Sequence, residues 1–397
     1  MMLRQTRPVA WHNRVSCSST WNGNAPMRPT LYVSSPLKAK CARKLTGRRP
    51  VSARDHLTAM ADLAQTHNVA PDSYGSGQYV ERFEADLAAR LGHEQALLFP
   101  TGAMAQQVAC RIAADRRSKR GLIMHPTCQM ALNEFEAYAV LHGLEARFVG
   151  TMGEPPTPSD LQNAVSKNDA AAFVHEVPMR QLGCQATPLE TLDELLSVVQ
   201  SANVHTHLDG ARLWEILPYY GVDADVIARR FESVYVSFYK GVAGFAGAAL
   251  AGDAAFIAEA RIWRRRHGGE LKQFTPFALT ADMGLDAAIA AASKDWARAR
   301  ELAGFINHTP GLTTTPSTPH CGTFHVSFEA SVEALERARD DIATEHGVWL
   351  FDFFFEPYPG RGVMTELVIT EQADDIYADE KALLLDQFAD RVRVYSG

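Results

Sequence analysis

The chain has 397 residues, a formal net charge of −7, 46% hydrophobic residues and 21% charged residues. That length supports a large core and two domains, and the mild acidic balance carries no electrostatic footprint for nucleic acid. No apolar run reaches the ~18 residues that a membrane span needs, and six cysteines without regular spacing form no disulfide framework, so a reducing cytoplasm is the default compartment.

The first 50 residues differ from the rest, with ten Lys and Arg and no Asp or Glu. An arginine-rich, serine-bearing, acid-free segment has the profile of an organelle transit peptide, a disordered basic arm, or an upstream stretch before a start at Met27. All three readings stay open on composition. Residues 1–44 are set apart as a disordered basic arm.

From residue 50 onward, helix and strand patterns alternate. Val80, Phe83, Leu87 and Leu91 fall on one helical face that Gly92 stops. Ala96–Phe99 predicts a short buried strand broken by Thr101-Gly102, and Met104, Val108 and Ile112 line the face of the next helix. Further strands are expected at 121–124, 145–149, 171–176, 204–208, 233–238 and 247–251. Helices are expected between them at 128–142, 159–166, 189–201 and 254–265. Such alternation implies an α/β fold whose mainly parallel sheet is covered on both faces. A helix over roughly 276–304 leads to a strand-rich tail with Thr323–Val326, Val348–Phe355 and Val363–Ile369 and helices near 331–345 and 379–391. The expected division is therefore a large domain over 45–300 and a smaller α+β domain over 301–397.

Two strand ends carry the chemistry. Ser233–Phe238 runs into Tyr239-Lys240-Gly241, and His205–Leu208 runs into Asp209-Gly210-Ala211-Arg212. Ligands on open parallel sheets sit at such carboxyl ends. A lysine amine and a carboxylate about one strand–helix–strand unit apart are the pair that pyridoxal 5′-phosphate (PLP) needs, one for its aldehyde carbon and one for its pyridine nitrogen. Arg212, three residues past Asp209, suits a bidentate bond to a substrate carboxylate. Thr101-Gly102-Ala103 joins a strand to a helix amino terminus, where free N–H groups and the helix dipole favour phosphate. Ser237 stands three residues before Lys240, within reach of the same group. Taken alone, each has a plainer reading: a surface lysine, an Asp N-cap, an ion-pair arginine, a common turn. His205-x-His207 and His320-Cys321-x-x-x-His325 lack a second set at zinc-like spacing and are read as structural. Arg264-Arg-Arg-His267 is read as a solvated basic turn.

The ordered motifs Tyr74-Gly75, Leu98-Phe-Pro-Thr101-Gly-Ala-Met-Ala105-Gln, Leu208-Asp-Gly-Ala-Arg212 and Ser237-x-x-Lys240-Gly resemble the threonine aldolases. These are β-eliminating lyases among the fold-type-I PLP-dependent transferase-like enzymes. The resemblance spans about residues 45–300. Arg43-x-Leu-Thr-Gly-Arg-Arg-Pro50 and Trp263–Gly269 look like a bacterial threonine-aldolase-like subgroup. It implies a large PLP domain, a smaller carboxyl-terminal domain, and a homodimer or homotetramer acting on a small amino-acid substrate. It further implies Lys240 as the Schiff-base lysine, Asp209 as the pyridine partner and Arg212 as the carboxylate anchor. Thr101, Gly102, Ala103 and Ser237 would lie around the phosphate, and Lys272 would stand near where the family has a phosphate-directed arginine.

Three departures stand out. Ala103 replaces a hydroxyl residue, and Gln129 stands where the family stacks a histidine on the cofactor ring. The second carboxylate-binding arginine has Arg361 as its nearest candidate. The implied activity is retro-aldol cleavage of a β-hydroxy-α-amino acid, its proton-accepting group open between water and a histidine such as His125. β-Elimination on the same scaffold and a non-catalytic PLP-fold binding protein are the alternatives.

Overall fold

The computed structural model describes residues 35–357 and 362–397. The basic arm through residue 34 and the candidate Arg361 lie outside the described residues. Twelve strands are named here in chain order: β1 (Arg43–Lys44), β2 (Gln95–Phe99), β3 (Gly121–Met124), β4 (Glu145–Phe148), β5 (Ala170–Glu176), β6 (His205–Gly210), β7 (Ser233–Ser237), β8 (Ala248–Gly252), β9 (Leu312–Thr315), β10 (Thr323–Phe328), β11 (Val348–Trp349) and β12 (Val363–Val368).

Strands β2 to β8 form one seven-stranded sheet in the order β2-β8-β7-β6-β5-β3-β4. β4, β3, β5, β6 and β7 pair in parallel, whereas β8 is antiparallel to both β7 and β2. The inner strands are buried on both faces, most as apolar runs and β6 with the buried polar residues His205, Thr206, His207 and Asp209, whereas the edge strand β4 is not. Helices such as Gln78–Leu91, Gly102–Arg117, Leu189–Ser201 and Ala254–Arg266 cover the sheet, each with one buried apolar face.

The helix Thr275–His308 runs from this unit into the second one. There β9, β10 and β12 make an antiparallel sheet, covered by the helices Val332–His346 and Ala378–Ser396. Its core is aromatic, with Phe324, Phe328, Phe351, Phe354 and Phe388 packed together.

Several expected boundaries are corrected. Residues just before 45 are ordered: helix Pro36–Lys40 and β1, which pairs in parallel with β11, belong with the carboxyl-terminal unit, and Leu45 is buried in that unit's core. The described residues before Thr46 thus sit in the small unit, and the chain then crosses to the large one. The helix expected over 128–142 is two short pieces, Gln129–Leu132 and Ala137–His142, because Phe135 and Glu136 take φ of 51° and 57° between them. The strand expected over Val348–Phe355 stops at Trp349, and Phe351 and Phe354 enter the core as irregular chain. The helix beginning near Arg212 is Leu213–Tyr220, with Arg212 as its N-cap in place of Asp209, and Pro218 lies inside it.

Candidate active site

Parallel pairing brings the functional strand ends to one edge. Asp209 on β6 is flanked in register by Glu176 on β5 and Tyr235 on β7. Lys240 follows β7 by three residues. Gln129, Glu176, Pro178, Arg180, Asp209, Ala211, Arg212 and Lys240 line a single pocket that is partly open to solvent. The predicted acid, amine and arginine therefore share one cavity.

Each group is held by short-range contacts. Asp209 is 3% exposed, and its Oδ1 accepts the Ala211 N–H at 3.0 Å. Burial pushes its carboxyl up, against the pull of Lys240, the Ala211 N–H and the Gln106 side chain. The Lys240 amine makes no hydrogen bond or ion pair among the described residues, and only a loose approach of 6.0 Å to the Tyr239 ring, while its carbonyl accepts the Ala243 N–H at 3.1 Å. A half-buried amine left free beside a buried acid is available for covalent chemistry.

Arg212 is not free. Its Nη1 donates to both oxygens of Glu215 at 3.0 and 3.1 Å and to Thr323 Oγ1 at 3.3 Å. Burial pushes the guanidinium down, but Glu215, Cys184 and Glu366 outweigh that and raise it. Thr323 lies on β10, so the small unit completes this corner.

Two residues of the pocket carried no recognisable sequence signal. Glu176 is buried, its Oε1 accepting the Gln129 N–H at 2.6 Å. Burial, then the neighbouring Asp209, push its carboxyl up to about 8. Arg180 follows the turn after β5 and grips Glu366 of β12 through two bonds, Nε to Oε2 at 2.7 Å and Nη2 to Oε1 at 3.2 Å. Both are visible in sequence only as charged residues near a strand end.

The expected phosphate turn lies beside this pocket and does not line it. Phe99 and Ser237 both pair with Ala248, which puts the carboxyl ends of β2 and β7 two strand spacings apart. Thr101 caps the helix Gly102–Arg117, its Oγ1 accepting the Met104 N–H at 3.3 Å. The first-turn N–H groups of Gly102 and Ala103 have no intrahelical acceptor, and Ala103 is exposed. Ser237 Oγ is buried with no hydrogen-bond partner among the described residues. The glycine at 102 has an additional cause, because a Cβ there would lie 2.0 Å from Tyr235 Oη.

Other sequence candidates go elsewhere. Lys272 Nζ donates to Ser73 Oγ at 2.8 Å and lies 4.6 Å over the Tyr74 ring, outside the pocket. His125 is buried and spends both ring nitrogens, on Thr127 Oγ1 at 2.7 Å and the Glu154 carbonyl at 2.9 Å, which removes it as a proton acceptor in the pocket. His205 and His207 both contact Ser233 Oγ. No group of three or more His, Cys, Asp or Glu among the described residues could hold a metal ion. Arg264 corrects the solvated-turn reading, being fully buried.

The β-eliminating lyase family model matches residues 55–326, the whole of the strand edge just described. The chain belongs to that family. A solved protein of Listeria monocytogenes with a provisional L-allo-threonine aldolase assignment is 33% identical. It superposes with a TM-score of 0.83 over 89% of this chain and 98% of its own. The low-specificity L-threonine aldolase 1 of Arabidopsis thaliana is 22% identical over 303 residues, which is 74% of this chain and 84% of that protein. A serine palmitoyltransferase solved with PLP shares the fold at 16% identity, with a TM-score of 0.65 over 86% of this chain and 84% of its own. This β-eliminating lyase is threonine-aldolase-like and has the fold of fold-type-I PLP enzymes. No helix among the described residues is long and apolar enough to cross a membrane.

Proposed function

We propose that this protein is a PLP-dependent lyase that splits a β-hydroxy-α-amino acid between Cα and Cβ, releasing glycine and an aldehyde. The observation that carries it is the shared pocket of Lys240, Asp209 and Arg212, on a chain of this family.

The residues fit PLP. Asp209 is a buried carboxylate in need of a positive partner, Lys240 is a free amine, and the Gly102 and Ala103 N–H groups at the helix amino terminus have no intrahelical acceptor. Bound PLP supplies an electron sink conjugated to the substrate amine, able to take up the charge released at Cα. Lys240 would hold it covalently, and Asp209 would keep its ring nitrogen protonated. Arg212 would take the substrate carboxylate and so fix which bond at Cα stands perpendicular to the ring. Gln129 packs at the pocket wall, its Oε1 accepting from Asn133 Nδ2 at 3.0 Å. An amide cannot take up a proton near neutral pH, so Gln129 orients and excludes water. Glu176, its carboxyl raised to about 8 by burial and Asp209, is protonated near neutral pH and would accept the β-hydroxyl proton only after giving up its own, directly or through a water.

Supporting a second copy in the assembly, Tyr239 and Phe245 flank Lys240 at 42% and 51% exposure. A homodimer or homotetramer would cover such aromatics, and light scattering reads its size.

The test is absorbance of purified protein at the lysine-bound PLP band, with Lys240→Ala as control, followed by product analysis on a panel of β-hydroxy amino acids. Glycine plus an aldehyde supports the proposal. A keto acid and ammonia would instead mean β-elimination, and no bound PLP in the wild type would end the enzyme reading.

A further inference from the structure

Behind Arg180 and Arg212, which line the pocket, the small unit places an acid. Thr323 and His325 stand two residues apart on β10 and share one face of its sheet, and Glu366 on β12 is the register partner of His325. All three point at the arginine corner. Thr323 Oγ1 bonds Arg212 and also donates to Glu215 Oε2 at 3.0 Å. Glu366 holds Arg180 through both its oxygens and lies 3.8 Å from Arg212 Nη2, with His325 Nε2 at 3.6 Å on its other side.

Among the described residues the charge at this corner is balanced: two guanidiniums, Arg180 and Arg212, face two carboxylates, Glu215 and Glu366. Burial pushes the Glu366 carboxyl up, but Arg180, His325 and Arg212 outweigh it and hold the group well below the usual carboxylate range. Glu366 is therefore a fixed negative charge at neutral pH. Arg180 spends its Nε and one Nη on it, in the fork geometry that matches a carboxylate. An arginine so engaged offers no second fork to a ligand, whereas Arg212 can trade Glu215 for an incoming carboxylate of the same shape.

We propose that Glu366 is a specificity-determining residue: clamped to Arg180 and leaning on Arg212, it leaves the corner able to take one carboxylate and repels a substrate that carries a second acidic group at or beyond Cβ. This rests on the lyase reading above and narrows its substrate class to monocarboxylic amino acids with a neutral or cationic β-substituent.

The experiment uses PLP-loaded full-length protein and titrates L-serine, L-aspartate and the carboxylate-free serinol, reading the change in bound-PLP absorbance rather than turnover. Wild type is expected to bind aspartate at least about tenfold more weakly than serine, the scale of an unscreened like-charge contact. In Glu366→Gln, aspartate affinity is expected to rise at least about tenfold while serine and serinol stay within about threefold. A purely structural role would move all three ligands together. Arg180→Gln is the second variant, chosen because its side chain lines the pocket and is 34% exposed. It uncovers the Glu366 charge, so the aspartate-to-serine discrimination should widen by about tenfold with serinol unchanged. Equal binding of serine and aspartate by wild type overturns the proposal, as does an unchanged ratio in either variant. A wild type that takes up no PLP overturns the lyase reading as well, and is told apart by the absence of the band before any ligand is added.

Discussion

The carboxyl edge of the large sheet and the shell behind β2 each bury an arginine, and the partners differ. Arg212 has Glu215, Thr323 and Glu366 around it and opens on the pocket. Arg264 is fully buried, donates to the Leu98 carbonyl at 2.7 Å and lies 4.2 Å over the Phe274 ring. Glu84, on the same shell, accepts the Leu98 N–H at 2.8 Å. Burial pushes the Arg264 guanidinium down to about 10 and the Glu84 carboxyl up to about 7. Burial is thus shared by a structural arginine and a functional one. What separates them is convergence: Arg212 shares its cavity with a free amine and a buried acid, and Arg264 braces a strand end and an aromatic ring.

The strongest way to break this comparison is at the acid. Asp209→Asn keeps the shape and the bond from Ala211 but removes the charge. Turnover should fall by about a hundredfold or more, with bound-PLP absorbance shifted and Tm little changed. Near wild-type turnover would show that Asp209 is only a buried hydrogen-bond acceptor. The arginines should then split cleanly. Arg212→Gln is expected to raise KM for α-carboxylate substrates by about a hundredfold, with the fold intact. Arg264→Met should leave KM alone and cost about 2–4 kcal/mol in denaturant unfolding, because the Leu98 carbonyl and Glu84 lose their buried cation. The reverse pattern would dissolve the distinction.

A smaller effect tests the phosphate side. Gly102→Ala places its Cβ 2.0 Å from Tyr235 Oη and 2.5 Å from Tyr235 Cζ, so the helix amino terminus or the ring must shift. Overpacking of that kind costs about 1–3 kcal/mol. PLP affinity should drop by about tenfold as the first-turn N–H groups move. Tyr235→Phe removes the hydroxyl but leaves Cζ at 2.5 Å, so it should rescue Gly102→Ala only in part; no rescue at all would mean that the clash with Tyr235 is not what fixes glycine there.

β3, β5 and β7 were legible because each is a short, mainly apolar run ended by a turn, and β6 because its segment leads into Asp209 and Arg212, with Lys240 at the end of β7. What stayed hidden depends on pairing across distance. Glu176 becomes a pocket residue only when β5 docks beside β6 and sets it opposite Asp209. Glu366 and Arg180 are 186 positions apart, and no local pattern marks them as partners. Leu45 belongs to the small unit because β1 pairs with β11, a two-residue contact too short for any periodicity to reveal. Arg264 looked solvated because three arginines in a row resemble a surface turn, whereas helix phase turns only the first of them into the core.

Glu176 gives the last prediction, the smallest in size and the most direct on charge. Around it stand Asp209 on β6, Lys240 beyond β7, Arg180 after the turn, and Glu134 and Cys128 from the chain that carries Gln129. Burial and Asp209 raise its carboxyl to about 8, and the Gln129 N–H, Lys240 and Arg180 only partly oppose that. An unfolded chain gives up this proton near pH 4.5, so between that pH and about 8 the folded state binds more protons than the unfolded one. Stability contributed by the neutral carboxyl is accordingly lost as pH rises through this window. Glu176→Gln keeps an acceptor for the Gln129 N–H and has no proton to lose. In PLP-free protein, its Tm should match wild type near pH 5 and exceed it by about 2 °C or more near pH 8. A Tm difference that stays flat with pH, or that grows in favour of wild type, would mean that Glu176 is ionised throughout and that the pocket wall carries two permanent negative charges.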